Sequence, residues 1–162
     1  MLGTDYQRRL GSLINSTATL IEFPDGYENY FEEQGPTTVI AGDRRRGLRT
    51  RARTVGILVP VECLPAFPRR ATPSIIFTKD FSKSGFGFVA DRQYFPGEQV
   101  RILLATFWME INVCRCRRLS PACFEVGGTL HRRHDESLDA FAGLQTEAEP
   151  ASQQSLVSNQ CN

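Results

Sequence analysis

The sequence predicts an all-β domain, a small six-stranded antiparallel barrel followed by a short C-terminal helix. Two observations predict this fold class. Between Thr54 and Leu130, six short segments rich in β-branched and aromatic residues follow one another, separated by turn residues. No segment in this stretch repeats its apolar residues with the 3.6-residue period of a helix. Short strands joined by close turns favour a small barrel or a sandwich.

The strands are predicted at positions 55–63, 74–78, 85–90, 99–105, 107–113 and 123–130. The fifth has the clearest pattern, since Phe107, Met109, Ile111 and Val113 alternate with the residues between them. Such a period of two places alternate side chains on opposite faces of a sheet. The fifth segment therefore predicts a strand with one face in the core.

Four regions are predicted along the chain. Residues 1–42 form an extension of uncertain structure, and residues 43–134 form the barrel domain. Apolar residues at helical spacing predict a C-terminal helix over 135–146. The polar residues 147–162 predict a disordered tail.

Length and cysteine content set the class of protein. The 162 residues suffice for one domain, and the 41% of hydrophobic residues suffice for one core. The five cysteines are an odd number and do not form a disulfide framework. No segment approaches the roughly 20 apolar residues of a membrane span. We therefore expect a cytoplasmic protein that is not bound to a membrane.

The charge distribution indicates an anionic ligand. The net charge is −5 over residues 1–43, +11 over 44–133 and −5 over 134–162. Seventeen of the nineteen basic residues are arginines. Arginine is favoured over lysine where a planar group binds phosphate through two parallel hydrogen bonds, or stacks on a base. An arginine-rich proteome is the alternative explanation of this bias.

Two segments carry the candidate ligand-binding residues. Residues 44–53 contain six arginines just before the first predicted strand. Residues 79–87 (Lys-Asp-Phe-Ser-Lys-Ser-Gly-Phe-Gly) join two predicted strands. In this second segment, an Asp carboxylate can accept two hydrogen bonds from a guanine edge, and Gly85 permits a close backbone approach or a positive φ. Taken separately, each segment is also compatible with a solvated loop or an ordinary turn.

Together, the two segments resemble the PilZ family of cyclic di-GMP receptors. Arg45-x-x-x-Arg49 precedes a strand, and Asp80-x-Ser82-x-x-Gly85 follows about thirty residues later. The resemblance runs from about residue 43 to residue 130. It includes Phe-Gly-Phe-Val at 86–89, Phe-Pro-Gly-Glu-Gln-Val at 95–100, Val-Cys-Arg-Cys-Arg at 113–117 and Phe-Glu-Val-Gly at 124–127.

The resemblance implies a PilZ-like split barrel that binds cyclic di-GMP and signals to a downstream protein partner. By position it assigns the ligand to Arg44, Arg45, Arg49, Asp80, Ser82 and Gly85. Arg44 resembles the family position linked to an intercalated ligand dimer. Arg49 and Arg53 also satisfy the arginine motif, so a second register stays open. The first is preferred because a strand already begins at Thr54.

Two other functions remain possible. The barrel is alternatively a protein-interaction adaptor in which the acidic extension occupies the arginine loop. It is otherwise a small nucleic-acid-binding barrel, which a shortage of aromatic residues among the arginines disfavours. The histidines and cysteines lack the usual zinc-ligand spacing, and no nucleophile has an evident base beside it. We expect neither a metal, nor a cofactor, nor an enzyme.

Overall fold

The computed structural model describes residues 4–37 and 48–145. The described chain contains one α-helix, eight strands and two short 3₁₀ helices. In chain order these are α1 (Asp5–Ser16), a 3₁₀ helix (Tyr30–Glu32), β1 (Gly35–Pro36), β2 (Thr50–Arg51), β3 (Val55–Glu62), β4 (Ser74–Phe81), β5 (Gly85–Ala90), β6 (Gln99–Leu103), β7 (Phe107–Ser120), β8 (Cys123–Asp135) and a second 3₁₀ helix (Leu138–Phe141).

Six of these strands close into an antiparallel barrel. The order around the barrel is β4-β3-β6-β7-β8-β5, and β5 pairs back with β4. The predicted six-stranded antiparallel barrel is therefore confirmed. The last two strands are longer than predicted, with 14 and 13 residues, because β7 continues to Ser120 and β8 continues to Asp135.

Alternate side chains of each strand point to opposite faces of the sheet, so one set packs inside the barrel and the other on its outer face. In β3, Leu58 packs inside the barrel, whereas Ile57 and Val59 pack on its outer face. The interior is filled by one buried cluster: Leu58, Ile76, Phe86, Phe88, Ala90, Tyr94, Val100, Ile102, Leu104, Met109, Ile111, Val113 and Val126. A filled interior leaves the outer face and the barrel rim as places for a ligand.

Both ends of the described chain cover part of the outer face. Tyr6 and Leu10 of α1 are buried against it, and the Tyr6 hydroxyl donates to the carbonyl of Leu104 at 2.7 Å. Thr4 caps α1, since its hydroxyl accepts a hydrogen bond from the backbone N–H of Gln7. The apolar spacing of Tyr6 and Leu10 in the sequence is thus the buried face of a helix.

The predicted C-terminal helix over 135–146 is wrong. Between Asp135, which ends β8, and residue 145, the structure has only the four-residue 3₁₀ helix, and the one described α-helix is N-terminal. The carbonyls of Ala140 and Ala142 accept hydrogen bonds from Nη1 of Arg101 at 3.0 and 2.9 Å. Gly143 then adopts a φ of 72°, which is outside the helical region. The tertiary contact with Arg101 replaces the hydrogen bonds that a longer helix would make.

Residues 18–37, called the strap below, cross the outer face from α1 to the arginine-rich segment. Phe31 of the strap packs edge-on against Phe77 of β4, with ring centroids 4.9 Å apart. The Tyr30 hydroxyl donates to the carbonyl of Thr78 at 2.8 Å. At its end, the strap pairs as β1 with β2, and β2 pairs with β4. The strap thereby fixes the segment that carries Arg49.

Candidate functional site

The structure brings together one residue from each predicted motif. Asp80 lies near the end of β4, after a register shift between Thr78 and Asp80 that places its side chain on the outer face. Nη1 of Arg49 lies 3.0 Å from Oδ1 of Asp80, and these side chains are 21% and 8% exposed. The two residues are far apart in sequence but form one partly buried ion pair.

Ser82 and Gly85 form the tight turn that follows this ion pair. The Ser82 N–H donates to the Gly85 carbonyl, and the Gly85 N–H donates to Oγ of Ser82, both at 2.9 Å. Gly85 does not have a positive φ. A Cβ at Gly85 would instead lie 3.1 Å from Oγ of Ser82 and 3.6 Å from Nη2 of Arg49. The glycine is therefore needed for the close approach of its neighbours.

A cavity of about 300 Å³ lies beside this turn. Its described lining is Arg49, Ser82, Ser84, Gly85, Cys114, Arg115, Gly127, Gly128 and Thr129. This lining includes two arginines, three hydroxyl groups and no carboxylate among the described residues. The site is therefore suited to an anionic ligand.

Arg115 lies across the sheet from Asp80. Four residues pair in one row over four adjacent strands, in the order Asp80, Gly87, Gly127 and Arg115. A Cβ at Gly87 would lie 2.7 Å from Oδ1 of Asp80, and a Cβ at Gly127 would lie 2.6 Å from Nε of Arg115. The two glycines let both charged side chains lie along the sheet instead of standing up from it.

Arg115 lies outside the two motifs predicted from the sequence. Its only signal was the pair of glycines at 127 and 128, because glycine inside a strand often marks a close approach. The register shift between Val113 and Arg115 decides which arginine of β7 faces the cavity. That shift is not visible in the sequence pattern.

The other described arginines of the run have different partners. Nη1 of Arg53 lies 3.1 Å from Oε2 of Glu33 and donates to the carbonyl of Tyr30 at 3.1 Å. Its guanidinium also lies 4.2 Å from the centroid of the Tyr30 ring. Arg51 pairs with the same glutamate at 3.6 Å. The strap therefore holds Arg51 and Arg53, and Arg49 is the one described arginine of this run that lines the cavity.

Arg44 and Arg45 lie outside the described residues, as does Arg46. The choice between the two registers therefore remains a prediction. The engagement of Arg53 by the strap favours the register that pairs Arg45 with Arg49.

Next to the row of Asp80 and Arg115, Glu125 joins two basic residues. Its carboxylate lies 2.9 Å from Nζ of Lys79 and 3.3 Å from Nη2 of Arg117. Burial disfavours the charged form of Glu125, but the hydrogen bonds and charges of Lys79 and Arg117 outweigh burial and lower its pKa below the ordinary value of 4.5. Ionised Glu125 therefore stabilises the outer face between β4, β8 and β7.

We expect Glu125→Gln to reduce the dependence of the melting temperature on pH in the acidic range. Because the folded pKa lies below the unfolded one, the stabilisation is present above pH 4.5 and is lost as the pH falls through the folded pKa. Melting temperatures between about pH 3 and 7 should show a lower value for the variant at neutral pH and a gap that closes in acid. Glu62→Gln, at an exposed position of β3, should follow wild type. A gap that stays constant with pH would contradict this account.

Two thiols of β7 and β8 favour the protonated form. Burial raises the pKa of Cys116, and burial with the charge of Glu125 raises the pKa of Cys123 to about 11.

Within residues 4–37 and 48–145, no three His, Cys, Asp or Glu side chains gather as a metal-binding group. None of the helices in these ranges is long and apolar enough to span a bilayer.

A larger groove of about 540 Å³ lies between the end of α1 and the start of β4. Leu20 and Thr72 are among the residues that line it, and Arg92 and Asp91 form an ion pair at its edge. None of the predicted ligand residues that the structure describes lines this groove. Volume alone therefore does not identify the functional site.

Comparisons with known proteins give no family for this chain. No protein-family model, curated protein or solved structure matches it. The geometry of the barrel and its rim is therefore the basis for the proposals below.

Proposed function

We propose that this barrel is a PilZ-like receptor for cyclic di-GMP that carries out no reaction. One observation carries the proposal: Arg49 and Asp80, from the two predicted motifs, meet beside the Ser82–Gly85 turn at the edge of the cavity. A chance resemblance of two loops would not require them to be neighbours in space. The two arginines in the lining support an anionic ligand.

The ion pair provides partners for two different parts of the ligand. A carboxylate only accepts hydrogen bonds, and guanine presents N1–H and an exocyclic amine as donors on one edge. A guanidinium binds phosphate oxygens through parallel hydrogen bonds. On binding, a phosphate replaces Asp80 as the partner of Arg49, and a guanine replaces Arg49 as the partner of Asp80. Both charges thus remain paired.

The energies are of the right size for a signalling ligand. Charge-assisted hydrogen bonds contribute roughly 1.5–3 kcal/mol each. Four of them would supply the roughly 8 kcal/mol of micromolar binding, before the cost of ordering the arginine segment. In the family pattern, Arg44 and Arg45 supply further contacts with the phosphates and guanine faces.

The strap offers a route from ligand to downstream partner. Thr37 donates its backbone N–H to the carbonyl of Arg49 at 2.9 Å, and Glu33 pairs with Arg51 and Arg53. A movement of Arg49 toward a ligand therefore pulls on the strap. The altered strap then presents a changed surface to a protein partner.

Titration calorimetry with cyclic di-GMP tests the proposal. We expect micromolar binding by wild type and a loss of at least about tenfold for Arg49→Ala and for Asp80→Ala, since each loses a charge-assisted contact. Arg45→Ala/Arg49→Ala should lose more. Arg8→Ala, an exposed arginine of α1, removes the same charge outside the cavity and should bind as wild type does. Absence of heat with the folded wild-type protein would overturn the proposal.

The contact between strap and arginine segment also favours a second candidate, an adaptor that binds no nucleotide. In that case Glu33 is the permanent partner of Arg51 and Arg53. Glu33→Gln distinguishes the two functions. A receptor should bind cyclic di-GMP at least as tightly when this competing carboxylate is removed, whereas an adaptor should show no binding before or after the change.

A further inference from the structure

We infer that Arg115 determines the base specificity of this site by binding the O6/N7 edge of a guanine whose N1 edge faces Asp80. The inference rests on the proposed function and deepens it. It adds a ligand residue from β7, on the side of the cavity opposite the two motifs that carry the resemblance.

The register places Asp80 and Arg115 at the two ends of one row. Adjacent strands lie about 4.8 Å apart, so three strand spacings separate their Cα atoms by about 14 Å. The two positions between them are Gly87 and Gly127. Because neither has a side chain, the row is a flat strip of backbone over which an anion and a cation extend from its two ends.

The two bounding side chains are directed toward each other. Oδ1 of Asp80 lies over Gly87, and the Cγ–Cδ–Nε part of Arg115 lies over Gly127. Arg49 covers the carboxylate, and Arg115 lines the cavity directly. A ligand that displaces Arg49 therefore meets acceptors at one end of the strip and donors at the other.

Guanine is the base that matches this polarity. Its N1–H and amino group donate to a carboxylate, and its O6 and N7 accept two hydrogen bonds from arginine. Adenine presents an amino donor beside N7, which would face the guanidinium donors of Arg115. The strip thus favours guanine at both ends and disfavours adenine at both.

The neighbouring arginine on β7 provides the matched control. Arg117 lies two positions further along the same strand and pairs with Glu125 at 3.3 Å. It is exposed and does not line the cavity. Arg117→Ala and Arg115→Ala therefore remove the same charge from the same strand, and only the second removes a group from the site.

The test compares cyclic di-GMP with cyclic di-AMP by calorimetry on the full chain. Arg115→Ala should weaken cyclic di-GMP binding by about tenfold to a hundredfold and leave cyclic di-AMP binding unchanged. Arg115→Gln should shift the preference toward cyclic di-AMP, because glutamine pairs with the N6/N7 edge of adenine. Arg117→Ala should match wild type with both ligands.

A second variant displaces Arg115 without removing it. The three atoms nearest to a Cβ at Gly127 all belong to the flexible side chain of Arg115. Gly127→Ala should therefore keep the fold, as melting will show, and weaken cyclic di-GMP binding.

The possible failures are distinct. Equal weakening of both ligands by Arg115→Ala would assign Arg115 to phosphate and overturn the specificity inference. Wild-type affinity in Arg115→Ala would remove Arg115 from the site and leave the receptor function standing. A wild-type protein that binds neither ligand would overturn both proposals.

Discussion

Arg69→Met should cost about 3–5 kcal/mol of the free energy of unfolding, because it leaves a buried carboxylate without its partner. Glu98 is 1% exposed, and its carboxylate receives Nε and Nη2 of Arg69 at 2.8 and 3.1 Å. The same guanidinium donates to the carbonyl of Gln93 at 2.6 Å and lies 4.5 Å from the centroid of the Tyr94 ring. Arg69 thereby fastens the long loop between β3 and β4 to the barrel.

Urea unfolding of three variants checks this result. Arg70→Met changes the neighbouring exposed arginine and should alter stability by less than about 0.5 kcal/mol. Arg69→Met/Glu98→Met removes both charges and should recover most of the loss, since an apolar pair carries no desolvation penalty. If Arg69→Met were no less stable than Arg70→Met, the ion pair would not anchor the loop.

Tyr30→Ala should also cost about 3–5 kcal/mol, the usual loss for a buried aromatic residue. Tyr30 is 3% exposed and packs against Phe23 and Phe31, with ring centroids 4.7 and 5.2 Å apart. The guanidinium of Arg53 stacks on its ring, and its hydroxyl donates a hydrogen bond to the carbonyl of Thr78. Without the ring, Phe23, Phe31 and Arg53 each lose a packing partner.

Tyr30→Phe separates packing from hydrogen bonding. It keeps the ring and leaves the carbonyl of Thr78 without this donor, so we expect a loss of only about 1 kcal/mol. Thermal unfolding of both variants gives the comparison. A loss as large for Tyr30→Phe as for Tyr30→Ala would show that the hydrogen bond, rather than the aromatic packing, holds the strap.

The six strands of the barrel were predictable because the sequence features that indicate them are local. The alternation in β7 and the turn residues between strands do not depend on distant contacts, and both are visible in the sequence. The lack of an α-helix over residues 136–145 was not predictable, because Arg101 binds the carbonyls of that segment from β6. The strap was also missed, since its aromatic residues follow no period and find their partners on the barrel surface.

The residues of the site likewise fall into those that the sequence predicts and those that depend on strand pairing. The family resemblance predicted Arg49, Asp80, Ser82 and Gly85 as ligand residues, and the structure places these four together. Arg115 depends on the pairing of β5 with β8 and of β8 with β7, including a register shift. A one-residue change of register moves every side chain of a strand to the other face. Such a residue cannot be assigned before the pairing is known.

The first and last parts of the described chain are fastened to one carboxylate. Oε2 of Glu136 accepts a hydrogen bond from the Thr4 hydroxyl at 2.7 Å, and Oε1 accepts one from Nε2 of Gln7 at 3.0 Å. Two segments 132 positions apart therefore meet beside the barrel. A linker could join residue 145 to residue 4, and the chain could be reopened at the exposed residues 65–68. Such a circular permutant would convert the meeting of α1 with β8 from a distant contact into a local one, and should fold to the same barrel.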